Sequence, residues 1–146
     1  MRAAIEEAER ARGATGDNPW VGAVIVVGGA IVARGRTHPP GESHAEAAAI
    51  QDARARGIEI AGATLYTTLE PCSFHGRTPA CARAIVERGI ARVVIGLRDP
   101  DPRVDGAGAR ILRDAGIEVI EGVCAPEVLA LLAPWMAAYH AHRAPR

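Results

Sequence analysis

The sequence predicts an α/β protein, a three-layer α/β/α sandwich built around a mixed five-stranded sheet. Two apolar segments flank Gly28-Gly29, which is typical of an antiparallel hairpin because paired glycines suit a tight turn. Beyond residue 60, short apolar segments alternate with helix-forming ones, as crossover connections between parallel strands require. A length of 146 residues fits one compact domain, which we expect to span residues 1–146.

The first part of the chain supplies a helix, the hairpin and a second helix. Residues 2–12 are rich in Ala, Glu and Arg and favour a helix that a glycine closes. Residues 20–27 form a nearly continuous apolar run, which indicates a strand buried on both faces, and residues 30–35 return beside it. Strong helix formers occupy 44–56, and Ser43 is placed to cap this helix.

The remaining part of the chain repeats the order of strand and helix. The predicted elements are strand 63–69, helix 79–88, strand 92–97, helix 106–114, strand 117–120 and helix 126–140. The last helix is markedly apolar, and we expect it to cover the sheet or to form a subunit contact.

Composition argues against several classes of protein. The 17 positive side chains, all Arg, balance 17 acidic ones, so the net charge is zero. A protein without net positive charge is poorly suited to bind nucleic-acid phosphates or an acidic membrane surface. No segment approaches the ~20 apolar residues of a membrane span, and acidic residues near the start argue against a secretion signal. We therefore expect a cytoplasmic protein with neither nucleic-acid nor membrane partners.

Two short segments carry the residues for chemistry. His44-Ala45-Glu46 begins a predicted helix, while Cys72 follows a predicted strand and Cys81 lies at the start of the next helix. One imidazole and two thiolates are three zinc ligands that leave the fourth tetrahedral position open to water. We predict one Zn²⁺ per chain, held by His44, Cys72 and Cys81, with Glu46 as the catalytic carboxylate that transfers protons.

Each of these residues also has an ordinary structural interpretation. A single cysteine is more often a small buried residue than a ligand, and we interpret Cys124 in this way. Glu46 alone would be a solvated helix residue. Residues two apart in a helix face different sides, so His44 and Glu46 can act together only in its first turn. The combination therefore predicts the site, whereas no single member does.

The motifs H-x-E and P-C-x-x-C together form the signature of zinc deaminases. Here eight residues separate the two cysteines, and the string L-E-P-C-S-x-x-G-R-T-P-x-C resembles the deaminase domain of the riboflavin-biosynthesis deaminase/reductase family. The resemblance covers nearly the whole chain. Further matching segments are 18–22, 41–46, 99–102 and 115–119.

This resemblance implies a cytidine-deaminase-like fold and a specific hydrolysis. The substrate would be 2,5-diamino-6-ribosylamino-4(3H)-pyrimidinone 5′-phosphate, an aminopyrimidine whose 2-amino group is replaced by oxygen. Activated water would attack ring C2 while Glu46 protonates a ring nitrogen and then the leaving ammonia. The resemblance further implies a homodimer or homotetramer, and a separate reductase, since the family's reductase half is absent from the sequence. The implied substrate-binding residues are Asn18, His75, Arg77, Asp99 and Asp101.

The sequence departs from the family pattern at three positions. Phe74 and Thr37 stand where the family usually has histidines, with His75 and His38 adjacent to them, and Asp101 replaces a common Asn. The residues that the resemblance assigns to substrate binding also have ordinary structural interpretations. Asn18 could be a turn residue before a proline, Asp99 could cap the turn that follows it, Arg77 could pair with an acid, and both histidines could be solvated.

Three other functions compete with this interpretation. The first is a deaminase for another small heterocycle, such as a free base or a nucleoside without phosphate. The second is an editing enzyme acting on RNA or single-stranded DNA, against which neutral charge and scarce aromatic residues weigh. The third is a structural zinc module, which would need a fourth protein ligand that the sequence does not offer in a convincing position.

Overall fold

The structure is a computed structural model, and it describes residues 1–74, 79–102 and 104–143. Within these residues the chain forms five helices and five strands. The helices are α1 Arg2–Ala11, α2 Ala45–Ala55, α3 Cys81–Glu87, α4 Ala107–Asp114 and α5 Ala125–Arg143. The strands are β1 Gly22–Val27, β2 Ala30–Arg36, β3 Thr64–Leu69, β4 Arg92–Leu97 and β5 Glu118–Glu121.

The five strands form one mixed sheet in the order β2-β1-β3-β4-β5. Strand β1 runs antiparallel to both β2 and β3, whereas β3, β4 and β5 are mutually parallel. The parallel half follows from the crossover helices α3 and α4, as the alternating pattern predicts. Strand β1, which lies between β2 and β3, is buried at its first four residues, which explains its continuous apolar run.

Helices cover both faces of the sheet, so the predicted three-layer sandwich is confirmed. On one face, a Cβ added at Gly22 would meet α1, and one added at Gly96 would meet Val128 of α5. On the other face, α2 lies against β1 and β2 and is followed by α3 and α4. The core on either side is built from Ala, Val, Ile and Leu, as the scarcity of aromatic residues requires.

The position of α2 depends on a close approach to β2. A Cβ at Gly35 would lie 2.2 Å from the Ala45 carbonyl oxygen and 2.3 Å from the Ala49 nitrogen. Since no side chain fits there, glycine lets the first turn of α2 touch the sheet. This contact fixes the helix start that carries His44 and Glu46.

The predicted N-cap of α2 is wrong. Ser43 does not cap α2; the N-cap is His44, which has an extended backbone (φ −69°, ψ 165°) and makes no side-chain cap hydrogen bond. The Ser43 hydroxyl instead donates to Gln51 Oε1 over 3.1 Å. The helix begins one residue later than a Ser43 cap would require, because the His44 imidazole faces the two cysteine sulfurs rather than the helix amides.

Among the described residues, no helix combines the length and the apolar character that crossing a membrane demands.

Candidate metal centre

The first turn of α2 brings His44 and Glu46 to the same cavity. His44 precedes the helix and Glu46 is its second residue. Both line one cavity together with Cys72. The condition set by helix geometry is therefore met, because the two residues lie at a helix end rather than within its length.

The two cysteines meet because hydrogen bonds join the segments that carry them. Cys72 leaves the end of β3, and Cys81 is the first residue of α3. The Cys81 backbone N–H donates to Cys72 Sγ over 3.1 Å, and the Ala82 N–H donates to the Cys72 carbonyl oxygen over 3.1 Å. These two hydrogen bonds hold the cysteines together although eight residues separate them in the sequence.

The donor atoms of His44, Cys72 and Cys81 all lie within 4.8 Å of one another and are positioned to bind a metal ion. His44 Nδ1 is 3.7 Å from Cys72 Sγ and 3.4 Å from Cys81 Sγ. In a tetrahedral zinc site, Zn–N and Zn–S bond lengths place a nitrogen and a sulfur about 3.6 Å apart. The donor set therefore fits zinc in chemistry and in spacing.

In the metal-free protein the surroundings favour the thiolate form of Cys72, whereas the hydrogen bond with Cys72 and burial raise the pKa of Cys81. Hydrogen bonds from the Cys81 thiol, from His44 and from the Cys81 amide lower the pKa of Cys72 to about 4, against the opposing effect of burial. This environment therefore favours the thiolate form of Cys72, which is the form that binds a metal ion. The hydrogen bond to Cys72 raises the pKa of His44 in the metal-free protein, so zinc must displace a proton from this cluster.

Glu46 is a buried carboxylate in contact with the metal-binding residues. Its exposed fraction is 4%, and the Thr67 hydroxyl oxygen lies 3.3 Å from Glu46 Oε1. Burial, followed by the charge of Cys72, raises the pKa of Glu46 to about 7. A carboxyl group with a pKa near neutrality can both accept and donate a proton at working pH.

The cavity beside these residues is large enough for a small substrate. Its volume is about 400 Å³, within the range of small-molecule sites. Asn18, Asp99 and Asp101 line this cavity together with His44 and Cys72, and their predicted contact with the substrate stays a prediction. His75 and Arg77 lie outside the described residues, so their predicted roles stay predictions.

Asn18 belongs to a tight turn as well as to the cavity wall. Its backbone N–H donates to the Thr15 carbonyl over 3.1 Å, and the Thr15 hydroxyl donates back to the Asn18 carbonyl over 2.6 Å. The turn interpretation and the substrate-binding interpretation are therefore compatible. Thr37 also lines the cavity, and its hydroxyl accepts a hydrogen bond from the Val21 N–H over 3.0 Å.

At two positions the sequence has another residue where the family usually has histidine, and the structure describes Phe74 at the first and the adjacent His38 at the second. Phe74 lines the cavity, so an apolar ring stands where the family usually has an imidazole. His38 is solvent-exposed, with Nδ1 3.9 Å from Glu42 Oε2, which agrees with a solvated loop histidine. Cys124 precedes α5 in a left-handed conformation (φ 57°) and lies outside the metal-binding group.

Asp99 and Asp101 form a loop that turns back on itself. The Asp101 N–H donates to Asp99 Oδ1 over 2.8 Å, so Asp99 does cap the turn that follows it. Burial is the main effect that raises the pKa of Asp99 to about 6. Asp101 is also buried. The two carboxyl groups thus lie in a confined part of the cavity wall.

Glu70 organises this wall, and sequence reasoning assigned it no role although it stands inside the L-E-P-C string. It is only 3% exposed. Its carboxylate accepts hydrogen bonds from the backbone N–H groups of Asp99 (3.2 Å), Gly106 (3.0 Å) and Ala109 (3.1 Å). Glu70 therefore ties the segment that carries Cys72 to the Asp99 loop and to the start of α4.

Replacing Glu70 with Ala is expected to lower the free energy of unfolding by about 3 kcal/mol, because one buried and two partly buried N–H groups lose a charged acceptor. Urea unfolding followed by circular dichroism measures this loss. Glu87→Ala removes an exposed carboxylate at the end of α3 and should change stability by less than about 0.5 kcal/mol. Equal midpoints for the two variants would contradict the assigned role of Glu70.

A mixed sheet sandwiched by helices, with one imidazole and two thiols at a metal-binding position and a buried carboxylate alongside, defines the class of zinc deaminases. Residues 1–97 match the family model described as the cytidine and deoxycytidylate deaminase zinc-binding region. The chain belongs to this family.

The chain also has relatives with which it shares nearly half of its aligned residues. The chain is 49% identical over 131 residues to riboflavin biosynthesis protein RibD of Actinobacillus pleuropneumoniae, covering 90% of this chain and 34% of the relative. It is 47% identical to the RibD of Aquifex aeolicus, again over 90% of this chain and 36% of the relative. The chain thus spans about a third of the length of the curated relatives it matches.

Solved structures confirm the fold. A diaminohydroxyphosphoribosylaminopyrimidine deaminase/5-amino-6-(5-phosphoribosylamino)uracil reductase from Thermotoga maritima superposes with a TM-score of 0.91 at 47% identity, over 98% of this chain and 41% of that one. A structure from a study of tRNA:A34 deaminases superposes with a TM-score of 0.70 at 31% identity, over 90% of this chain and 97% of that one. The cytidine-deaminase-like fold is therefore confirmed.

Proposed function

We propose that this chain hydrolytically removes the 2-amino group of 2,5-diamino-6-ribosylamino-4(3H)-pyrimidinone 5′-phosphate. The observation that carries the proposal is that His44, Cys72, Cys81 and the buried Glu46 meet beside a cavity of about 400 Å³. The similarity to a deaminase/reductase whose name specifies this class of aminopyrimidine favours the substrate. Water and the amine give the ring carbonyl and ammonia.

Each of the four residues has a defined part in this reaction. Zinc held by His44, Cys72 and Cys81 would supply Lewis-acid activation of water. Glu46 accepts a proton from that water and passes it to a ring nitrogen. It then takes a second proton from the hydroxyl group added to the ring carbon and delivers it to the leaving amino group, so that ammonia departs as the ring carbonyl forms. A pKa of about 7 suits this exchange, because the carboxyl group gains and loses a proton twice in each turnover.

The remaining polar groups of the cavity are proposed to hold the substrate. Asn18 would contact the pyrimidine, and Asp99 and Asp101 would lie against the ribose phosphate. A carboxylate beside a phosphate is repulsive unless backbone N–H groups face the ligand or the carboxyl is protonated. Burial raises the pKa of Asp99 to about 6, which eases protonation but leaves most of this carboxyl group ionised at pH 7. His75 and Arg77 are assigned to the substrate on the sequence match alone.

The 5′-phosphate should strongly affect the rate if this assignment is right. We expect kcat/KM for the phosphorylated substrate to exceed that of its dephosphorylated form by at least about tenfold, since one charge-assisted hydrogen bond is worth roughly 1.5–3 kcal/mol. Ammonia release from both compounds and from a panel of bases and nucleosides measures the ratio. Arg77→Ala should abolish the preference, whereas Arg83→Ala on the exposed side of α3 should retain it.

A different order of substrates would favour another function. Faster turnover of a free base or a nucleoside would identify a deaminase for another small heterocycle. The 31% identity to a structure from a study of tRNA deaminases makes an RNA substrate the third arm of the same assay. The zero net charge weighs against RNA, and inosine formation in tRNA at physiological salt would reverse that judgement.

Three wider assignments complete the proposal. We propose a cytoplasmic location, where reducing conditions keep the free cysteines Cys72 and Cys81 available to the metal. We propose that a reductase, on the same or a separate chain, acts on the product. We also propose a homodimer or homotetramer, which sedimentation velocity can test; exposed apolar side chains available for contact are Val27, Ile31, Ile120 and Leu129.

A further inference from the structure

Helix α5 contributes two aromatic side chains to the cavity that contains the metal-binding residues. Trp135 and Tyr139 line it together with His44, Glu46 and Cys72. Both aromatic residues lie beyond residues 1–97, the part that the family model matches. The sequence indicated only that this helix covers the sheet or meets another subunit.

The two rings form one fixed unit. Trp135 and Tyr139 are one helical turn apart and stack with centroids 5.0 Å apart and an interplanar angle of 29°. Trp135 Nε1 donates to the Asp17 carbonyl over 2.8 Å. Asp17 also lines the cavity and is followed by Asn18. The helix is therefore attached to the turn that carries a proposed substrate-binding residue.

The rings lie in the more open part of the site. Glu46 and Cys81 are 4% and 2% exposed, whereas Trp135 and Tyr139 are each only half-buried. A ligand whose reacting carbon meets the buried metal end must extend toward more exposed groups. Aromatic residues are also concentrated here, because three of the five in the whole sequence, Phe74 being the third, line this cavity.

We propose that Trp135 and Tyr139 form an aromatic wall that packs against the ribosyl-bearing side of the aminopyrimidine. Flat rings contact heterocycles and sugar C–H groups over a large area at a low cost in side-chain entropy. The inference rests on the proposed function, since it concerns the substrate of the same site. The wall binds substrate and does not take part in proton transfer, so it affects KM more than kcat.

Kinetics of single variants test the wall. Trp135→Leu and Tyr139→Leu should each raise KM for the phosphorylated aminopyrimidine about tenfold, with kcat changed less than about threefold. Trp135→Phe and Tyr139→Phe keep a ring and should stay closer to the wild type. Glu127→Ala alters an exposed position of the same helix away from the cavity and should leave both constants unchanged.

Fluorescence gives an independent readout, because Trp20 and Trp135 are the only tryptophans in the sequence. In a Glu46→Gln/Trp20→Phe background, Trp135 alone reports, and titration with the substrate should change its emission in a saturable way. With Trp135→Phe in place of Trp20→Phe, the change should be much smaller.

The outcomes separate the two proposals. An inactive zinc-loaded wild type would overturn the proposed function and, with it, this inference. An active wild type whose KM is unchanged by Trp135→Leu and Tyr139→Leu overturns the aromatic wall alone. Constant Trp135 emission at saturating substrate would overturn it as well, whatever the stability of the leucine variants.

Discussion

Glu46→Gln is expected to lower kcat by about a thousandfold while zinc remains bound, because the amide keeps the shape of the side chain but cannot carry protons. The structure motivates this result. Glu46 lines the cavity beside His44 and Cys72, and burial raises its pKa to about 7. Ammonia release and metal content, measured on the same preparation, give the two quantities. A zinc-loaded variant that retains a tenth of the wild-type kcat would contradict the role of Glu46.

Glu42→Gln is the matched control for this experiment. It removes a carboxylate four residues earlier whose side chain is exposed, so kcat should stay within about twofold of the wild type.

The pH dependence of the stability of the metal-free protein provides a second check on Glu46. The pKa of Glu46 is raised from 4.5 to about 7, so the native state binds the proton more tightly than the unfolded state. The contribution of Glu46 to the free energy of unfolding therefore falls as the pH rises from 4.5 to 7. Urea unfolding of the metal-free protein across this pH range should show a smaller fall for Glu46→Gln than for the wild type.

The metal-binding group was predictable because its members carry a chemical signal in their types and local positions. An imidazole at a helix start and thiols at a strand end and a helix start converge wherever strands give way to helices in an α/β fold. The predicted order of helices and strands agrees with the structure, and most boundaries differ by one or two residues. Ser43 was the exception, since local capping preference gave way to the tertiary contact of His44 with the cysteines.

The outer part of the site was not predictable in the same way. Trp135 reaches the cavity only because α5 packs on the α1 face of the sheet and its indole meets the Asp17 carbonyl, 118 residues away in sequence. Apolar residues in a helix predict burial without specifying against what. Glu70 likewise bonds to amides 29 to 39 residues away, a relation that no local pattern contains. The residue types and local positions of the metal-binding group could be recognised in the sequence, whereas contacts between distant segments could be recognised only from the coordinates.

Cys81→Ser is expected to reduce bound zinc from one ion per chain to less than about a tenth after dialysis, and to abolish ammonia release. A serine hydroxyl stays protonated at neutral pH, so one of the three donor atoms that the described residues supply to the site is lost. The loss should exceed the roughly 10–100-fold that follows from altering groups outside the ligand set. Metal analysis after dialysis, with and without a competing chelator, measures it.

Cys124→Ser separates this effect from a general need for cysteine. Cys124 is a free, partly buried thiol outside the metal-binding group, so its replacement should leave both the zinc content and the rate of ammonia release at wild-type values. Because both substitutions replace a cysteine with a serine, any difference between their effects must come from the position of the cysteine in the structure. Retention of zinc by Cys81→Ser, or its loss from Cys124→Ser, would show that the ion is held by other atoms. The meeting of α2, β3 and α3 at one cavity would then have to serve some purpose other than metal binding.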